Sequence, residues 1–282
     1  MASDQRPPSW LRAVSDPRVS RVMHKVVTWQ PPKPVLGAAI RTFSRAWGVE
    51  LHEAERPVDD YVSFQDFFTR TLKEGARPVA QERDVVASPA DGKLSAFGPL
   101  GDGRLVQAKG VEYALDALLG DSVDADPYRH GSYAVVYLAP NNYHRVHVPL
   151  RGTLTHWRYI PGALYPVNKI GLSNVPGLFA RNERIVGHID SELGKVGVIM
   201  VGATFVGHMK VAFTDLATNA GAPASGRVAP EAPVAFERGD EFGVFEMGST
   251  VVLVFDRDDL EPTVPLGSPV RMGQAILRAR SN

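Results

Sequence analysis

Ser249 stands in the run EFGVFEMGSTVVLVF (241–255), where Gly248, Ser249 and Thr250 interrupt two apolar stretches. A glycine weakens a strand interior, and a buried hydroxyl needs a partner. The triplet is therefore either a bulge or tight corner, or a serine presented by a kinked backbone beside a residue without a side chain. In the second case the Gly248 carbonyl lies open to attack. A histidine oriented by an aspartate would then make the Ser249 hydroxyl a nucleophile. The chain offers Asp, His and Ser candidates in that order, without a GxSxG elbow. Asp91 lies in SPADGKL (88–94), where Asp91-Gly92 also reads as an ordinary turn pair. His144 and His147 lie in NNYHRVHVP (141–149), three residues apart. On a helix that spacing could share a metal. A segment that leaves an Asn-Asn turn and alternates like a strand sends the two to opposite faces instead. No HExxH or other ligand cluster accompanies them, so no metal is expected, and each His also reads as a satisfied structural residue.

The elements that must position these residues fall into two textures. From about residue 84, short β-rich runs such as YAVVYLAPNN, HRVHVPLRG and GKVGVIMVGATFVGHMKVAF alternate with Gly, Pro, Asn and Asp turns. That is the pattern of a sandwich or barrel. One helix is expected within it, over EYALDALLG (112–120). The first 75 or so residues differ. Residues 1–45 hold eight Arg and Lys against two Asp, in a chain of zero formal net charge. Val19, Val22, Met23, Val26 and Val27 recur at helical spacing with Arg18, Arg21 and Lys25 opposite. Pro31-Pro32 breaks that helix. A second follows, with Val35, Leu36, Ala39, Ile40, Phe43 and Trp47 on one side and Arg41 and Arg45 on the other. A third helical segment is expected over SFQDFFTRTLKEGARPV, ending at Gly75. Two short basic amphipathic helices carrying Trp29 and Trp47 have the composition of interfacial membrane segments. The alternative is that they simply pack onto the main body, as most amphipathic helices do.

The expected fold is therefore α+β: a mostly antiparallel β sandwich or barrel-like core with an N-terminal arm of amphipathic helices. The arm is assigned to 1–75 and the β-rich catalytic part to 76–282. A chain of 282 residues, 44% apolar and 22% charged, makes a foldable protein with a substantial core. The absence of a basic excess argues against a nucleic-acid partner. With no cysteines, disulfides, thiol nucleophiles and thiolate metal sites are excluded. No apolar run approaches the ~20 residues that span a bilayer. The opening MASDQRPPSW carries Asp4 and no apolar h-region, so no secretory signal is expected.

Seven stretches taken together resemble a known family. They are DFFTRTLKEGARPV (66–79), SPADGKL, LAPNNYHRVHVP (138–149), NVPGLFARNERI (174–185), VGATFVG (201–207), MGST (247–250) and VRMGQAI (270–276). The family is the bacterial phosphatidylserine decarboxylases, pyruvoyl-dependent and self-cleaving. The likeness covers most of the chain, and the order of several long motifs makes it specific. The family's cleavage motif is usually Leu-Gly-Ser-Thr. Here Met247 takes the Leu position, a near-isosteric apolar swap. The segment after Lys210 departs most from the family pattern.

The resemblance implies that the chain cuts itself between Gly248 and Ser249. The products, 1–248 (β chain) and 249–282 (α chain), stay associated. Ser249 becomes a covalent pyruvoyl group, with no metal and no pyridoxal phosphate. Asp91 and His147 match the charge relay that activates Ser249, with Asp91 fixing the His147 tautomer. His144 matches a position linked to the later step on the substrate. Both histidines fit one site only if the chain is irregular near Asn141-Asn142-Tyr143, with His144 still in the turn and His147 already in the strand. The implied reaction converts phosphatidylserine to phosphatidylethanolamine and CO2 through a Schiff base on the pyruvoyl group. The implied partners are phosphatidylserine and an anionic membrane surface, at the cytoplasmic face of the cell membrane, with a homodimer as one option and no nucleic acid. Two other readings compete. A pyruvoyl-dependent decarboxylase of another amine-bearing substrate is opposed by the amphipathic N-terminus and the length of the motif match. A non-catalytic carrier-type β module would need a lysine at a tight hairpin tip, and MGST offers none.

Overall fold

The computed structural model describes residues 7–106, 112–204, 208–218, 226–246 and 249–280. Four helices come first: α1 (Ser9–Val14), α2 (Pro17–Thr28), α3 (Lys33–Trp47) and α4 (Phe64–Phe68). α2 begins where the Asp16 side chain accepts from the Arg18 N–H, with Pro17 in the first position, where no N–H is needed. α3 ends on Gly48, held in the left-handed region at φ 73°. Leu36, Ile40, Val49, Tyr61 and Phe67 form a small core under these helices, while Leu11 joins the main core.

The third expected helix stops early. α4 ends at Phe68, not at Gly75. Beyond it the chain pairs with residues 53–55: Ala54 bridges Leu72, Glu55 N donates to Thr71 O, and Lys73 N donates to Glu53 O. Two β-branched residues, Thr69 and Thr71, weaken the helix at this point.

The strands begin with β1 (Val85–Ala87), β2 (Gly92–Pro99), β3 (Arg104–Val106) and β4 (Glu112–Ala114). α5 (Leu115–Leu119) and α6 (Ser122–Ala125) follow. The helix expected over 112–120 is thus confined to its second half, because 112–114 pair with β3. Next come β5 (Ser132–Tyr137), β6 (Arg145–His147) and β7 (Gly152–Ile160), then α7 (Lys169–Asn174) and α8 (Leu178–Arg181). The sequence pattern revealed neither α6, α7 nor α8, each of one or two turns. The remaining strands are β8 (Arg184–Ser191), β9 (Gly194–Val201), β10 (Met209–Val211), β11 (Thr214–Ala217), β12 (Val234–Phe236), β13 (Glu241–Phe245) and β14 (Thr250–Phe255). β15 (Leu260–Pro262), β16 (Pro269–Val270) and β17 (Ala275–Ala279) close the order.

The largest sheet has eight strands in the order β12-β7-β8-β9-β14-β5-β2-β16, beside a four-stranded sheet β11-β10-β13-β6, a three-stranded sheet β1-β17-β15 and the pair β3-β4. Their ladders are antiparallel, as expected for an α+β chain of this pattern. Among the described residues no barrel closes: the large sheet ends on β12 and β16, and Pro269 sits on β16, where a missing N–H is tolerated. β14 lies between β9 and β5, and all six of its residues are buried. The run 241–255 is therefore two strands rather than one. β13 belongs to the four-stranded sheet and β14 to the eight-stranded sheet.

Candidate active site

Strand register brings Asp91 and Ser249 to one end of the large sheet. Lys93, Tyr137 and Thr250 form a single row across β2, β5 and β14. Ser249 directly precedes that row, and Asp91-Gly92 precede it on β2. The two backbones are two strand spacings apart, roughly 10 Å. Gly92 is no hairpin tip. A Cβ there would fall 2.4 Å from the Tyr137 carbonyl oxygen, so only glycine lets β2 approach β5. β6 supplies the histidines from the other sheet. His147 N donates to Pro89 O at 2.7 Å, drawing β6 against the 88–91 turn, and His147 pairs with Glu241 of β13. His144 lies just outside β6, two residues beyond the turn closed by Asn142 N to Ala139 O at 2.9 Å, and its carbonyl already accepts from Phe245 N of β13 at 3.0 Å. The expected turn thus ends at Asn142, before His144, and the register shift in this ladder falls on β13 between Glu241 and Gly243.

Each side chain has a definite bonding state. The buried Asp91 carboxylate is gripped by Arg77, with Nε to Oδ1 at 2.8 Å and a terminal nitrogen to Oδ2 at 2.6 Å, and it accepts from Met272 N at 2.9 Å. Arg77 also holds Glu53 at 2.8 Å. Asp91 makes no hydrogen bond to His147. The His147 tautomer is set instead by Gly239: Nδ1 donates to its carbonyl at 2.7 Å, which leaves the lone pair on Nε2, 3.1 Å from the Tyr143 hydroxyl. Burial holds His147 below the ordinary imidazole range. His144 is fully buried, donates from Nδ1 to Asn142 O at 2.8 Å, and has no partner at Nε2. Burial pushes it down to about 3. Both imidazoles are neutral near pH 7.

Ser249 is 0% exposed, and its Oγ has no hydrogen-bond partner among the described residues. Its carbonyl accepts from Leu138 N at 3.0 Å, which fixes the backbone just upstream of the β14 ladder. Gly248 lies outside the described residues. The Ser249 side chain borders a cavity of about 390 Å³ whose other walls are largely apolar, among them Leu11, Phe43, Phe64, Phe68, Leu138 and Val167. Trp10 and Ile170, both more than half exposed, also line it. The arm thus contributes α1, α3 and α4 to the wall around Ser249. Phe68 connects this cavity to His144, their rings 4.1 Å apart. Arg77, Tyr143 and Gly239 escaped the sequence reading. Arg77 and Tyr143 lie inside the motifs quoted above, so a signal existed; nothing local marks Gly239, whose carbonyl reaches His147 only through the fold.

A family model described as phosphatidylserine decarboxylase matches residues 64–278. Among similar proteins, the phosphatidylserine decarboxylase proenzyme of Anaeromyxobacter sp. (strain K) is 44% identical over 273 residues, covering 95% of this chain and 96% of the relative. The proenzyme of that name from Myxococcus xanthus is 44% identical over 248 residues, covering 87% and 88%. The one from Brevibacillus brevis is 38% identical over 276 residues, covering 95% and 96%. With the match running from α4 into β17 and the relatives aligned along nearly their whole length, the chain belongs to the phosphatidylserine decarboxylase family.

Proposed function

We propose that this chain is made as a proenzyme, cuts itself between Gly248 and Ser249, and then decarboxylates phosphatidylserine to phosphatidylethanolamine at a membrane surface. The observation that carries the reading is the Ser249 hydroxyl, buried and unpartnered at the wall of an apolar cavity. Leaving a buried donor unpaired costs about 1–3 kcal/mol, a cost that suits a group waiting to react. The same surroundings fit a pyruvoyl group made from Ser249, because they offer its oxygen position no acceptor that a carbonyl would clash with electrostatically. Such a group supplies an electron sink when CO2 leaves.

The chain's own residues carry the protons. His147 Nε2 takes the Ser249 proton as the hydroxyl adds to the Gly248 carbonyl, after the Tyr143 hydroxyl moves off that nitrogen. The C–N bond between the two residues then breaks, leaving an ester. Loss of the Ser249 α-proton and of the carboxylate ending at Gly248 completes the cut and leaves dehydroalanine, which takes up water and releases ammonia to become the pyruvoyl group. Asp91 favours the protonated His147 through its charge rather than through a hydrogen bond, and Arg77 keeps it in place. His144 acts later, exchanging a proton with the bound lipid through its free Nε2. The apolar cavity suits acyl chains and offers little to a small soluble amine. The arm exposes Trp10, Val22, Val26, Trp29, Val35 and Trp47, and its Arg and Lys residues would each gain ~1 kcal/mol at an anionic surface. No helix of the described residues is long and apolar enough to cross a membrane, and the attachment proposed is peripheral.

The test is an intact mass under denaturing conditions, beside a decarboxylation assay on phosphatidylserine vesicles. Active protein should give two chains, 1–248 and 249–282, the smaller blocked at its N-terminus. Ser249→Ala should give one chain and no activity. A single full-length mass in active protein sinks the reading.

A further inference from the structure

Glu246 is the last described residue before the 247–248 segment, and its carboxylate is 3% exposed. Oε1 pairs with the Lys210 ammonium at 2.9 Å, but Oε2 is buried without a hydrogen-bond partner. Two imidazoles face it. His24, on the inner side of α2, has its Nδ1 3.4 Å from Oε2, and that nitrogen is likewise buried and unpartnered. The His208 ring meets the His24 ring edge to face, centroids 4.2 Å apart. The His208 Nδ1–H donates to the Thr218 carbonyl, so its lone pair is on Nε2. One ligand atom from each of the three residues lies within 4.8 Å of the others.

We propose that His24, His208 and Glu246 bind a divalent transition ion of the zinc class. Two imidazoles and one carboxylate are a donor set such ions favour. Ligands about 2.0–2.1 Å from a tetrahedral ion stand roughly 3.3–3.4 Å apart, which matches the His24–Glu246 separation that is too long for a good hydrogen bond. The Thr218 carbonyl on the far nitrogen of His208 is the outer partner a metal-bound imidazole ordinarily has. The ion ties α2 of the arm to the chain end that leads into the Met247-Gly248-Ser249 segment. This ion site is independent of the role proposed for Ser249.

A second trio, Asp124, His156 and His188, is also close enough to hold an ion. There the cation's place is taken. Arg158 pairs with Asp124 at 2.9 Å, and Arg227 stands 3.9 Å away. Two guanidiniums neutralise that carboxylate, whereas at Glu246 a single, half-exposed Lys210 reaches only one oxygen.

The experiment is a titration of the intact, chelator-treated protein with Co2+, read by the visible d–d bands of tetrahedral cobalt, followed by displacement with Zn2+. One equivalent should bind. His24→Ala and Glu246→Gln should each weaken binding by about 100-fold or more, since even outer-sphere changes cost 10- to 100-fold. His130→Ala, at an exposed histidine, should leave it unchanged. Lys210→Ala, a surface change that spares the fold, should tighten it by removing a repelling charge. Absence of a tetrahedral cobalt spectrum overturns the proposal. So does binding that survives both ligand substitutions, or binding that Lys210→Ala leaves unchanged.

Discussion

His144 and His147 are three residues apart and both neutral, yet their surroundings suit different tasks. His147 is held from both sides, by the Gly239 carbonyl and the Tyr143 hydroxyl, beside the turn that carries Asp91. His144 keeps one nitrogen free and packs on Phe68, a wall of the Ser249 cavity. If His147 acts on Ser249 before the cut, His147→Ala should accumulate uncut chain. If His144 acts only on the bound lipid, His144→Ala should still cut and yet turn over ~10²- to 10⁴-fold more slowly, the usual cost of one general acid–base group. A denaturing gel beside a decarboxylation assay separates the two. An uncut His144→Ala chain, or one that cuts and works normally, returns His144 to a structural role.

At the scale of elements, α2 divides its apolar stripe between the protein and water, with Val27 buried, Val19 and Met23 half-buried, and Val22 and Val26 exposed. Its inward residues are Ser20, His24 and Val27, at 0%, partly and 7% exposed, while Val22, Val26 and Trp29 are 60–64% exposed. An apolar stripe facing water has no stabilising role in the folded chain and gains ~1.5–3 kcal/mol per side chain when buried elsewhere. α3 divides its stripe in the same way, with Leu36 and Ile40 inside and Val35 and Trp47 outside. Replacing Val22, Val26 and Trp29 by serine should change stability little, as surface changes do. Binding to anionic vesicles should fall sharply, and the remainder, held by Arg and Lys, should weaken with salt. Cosedimentation at low and high salt measures both. Unchanged binding by the triple variant would mean that this stripe does not meet the lipid.

For the whole molecule, buried neutral histidines make stability depend on pH. His144 has a folded value of about 3 against 6.5 for an ordinary imidazole, and burial also lowers His147 and His188. Between these values the unfolded chain binds protons that the folded chain refuses. For His144 the stabilisation is therefore complete above about pH 6.5 and is lost as pH falls toward 3, at about 1.4 kcal/mol per pH unit. Urea unfolding of the uncut Ser249→Ala chain at about pH 7, 6 and 5 should show this loss. His144→Gln should reduce the slope by roughly one proton's share; an unchanged slope would mean that His144 titrates in the folded state.

Local pattern alone determined much of this protein. Helical spacing located α2 and α3, alternation and turn residues located the β-rich body, and ordered motifs identified the family, because side-chain period and turn chemistry are written over a few neighbouring residues. The family's positions for Asp91, His144, His147 and Ser249 could be named from those motifs without any coordinates. Only the tertiary structure decided the rest. It divided 241–255 between two sheets, left Val22 and Val26 of the α2 stripe facing water, gave Asp91 to Arg77 and His147 to Gly239, and gathered His24, His208 and Glu246. Each of these depends on contacts between residues far apart in the chain. Such contacts are selected by packing and by the pairing of buried polar groups, which no local spacing records.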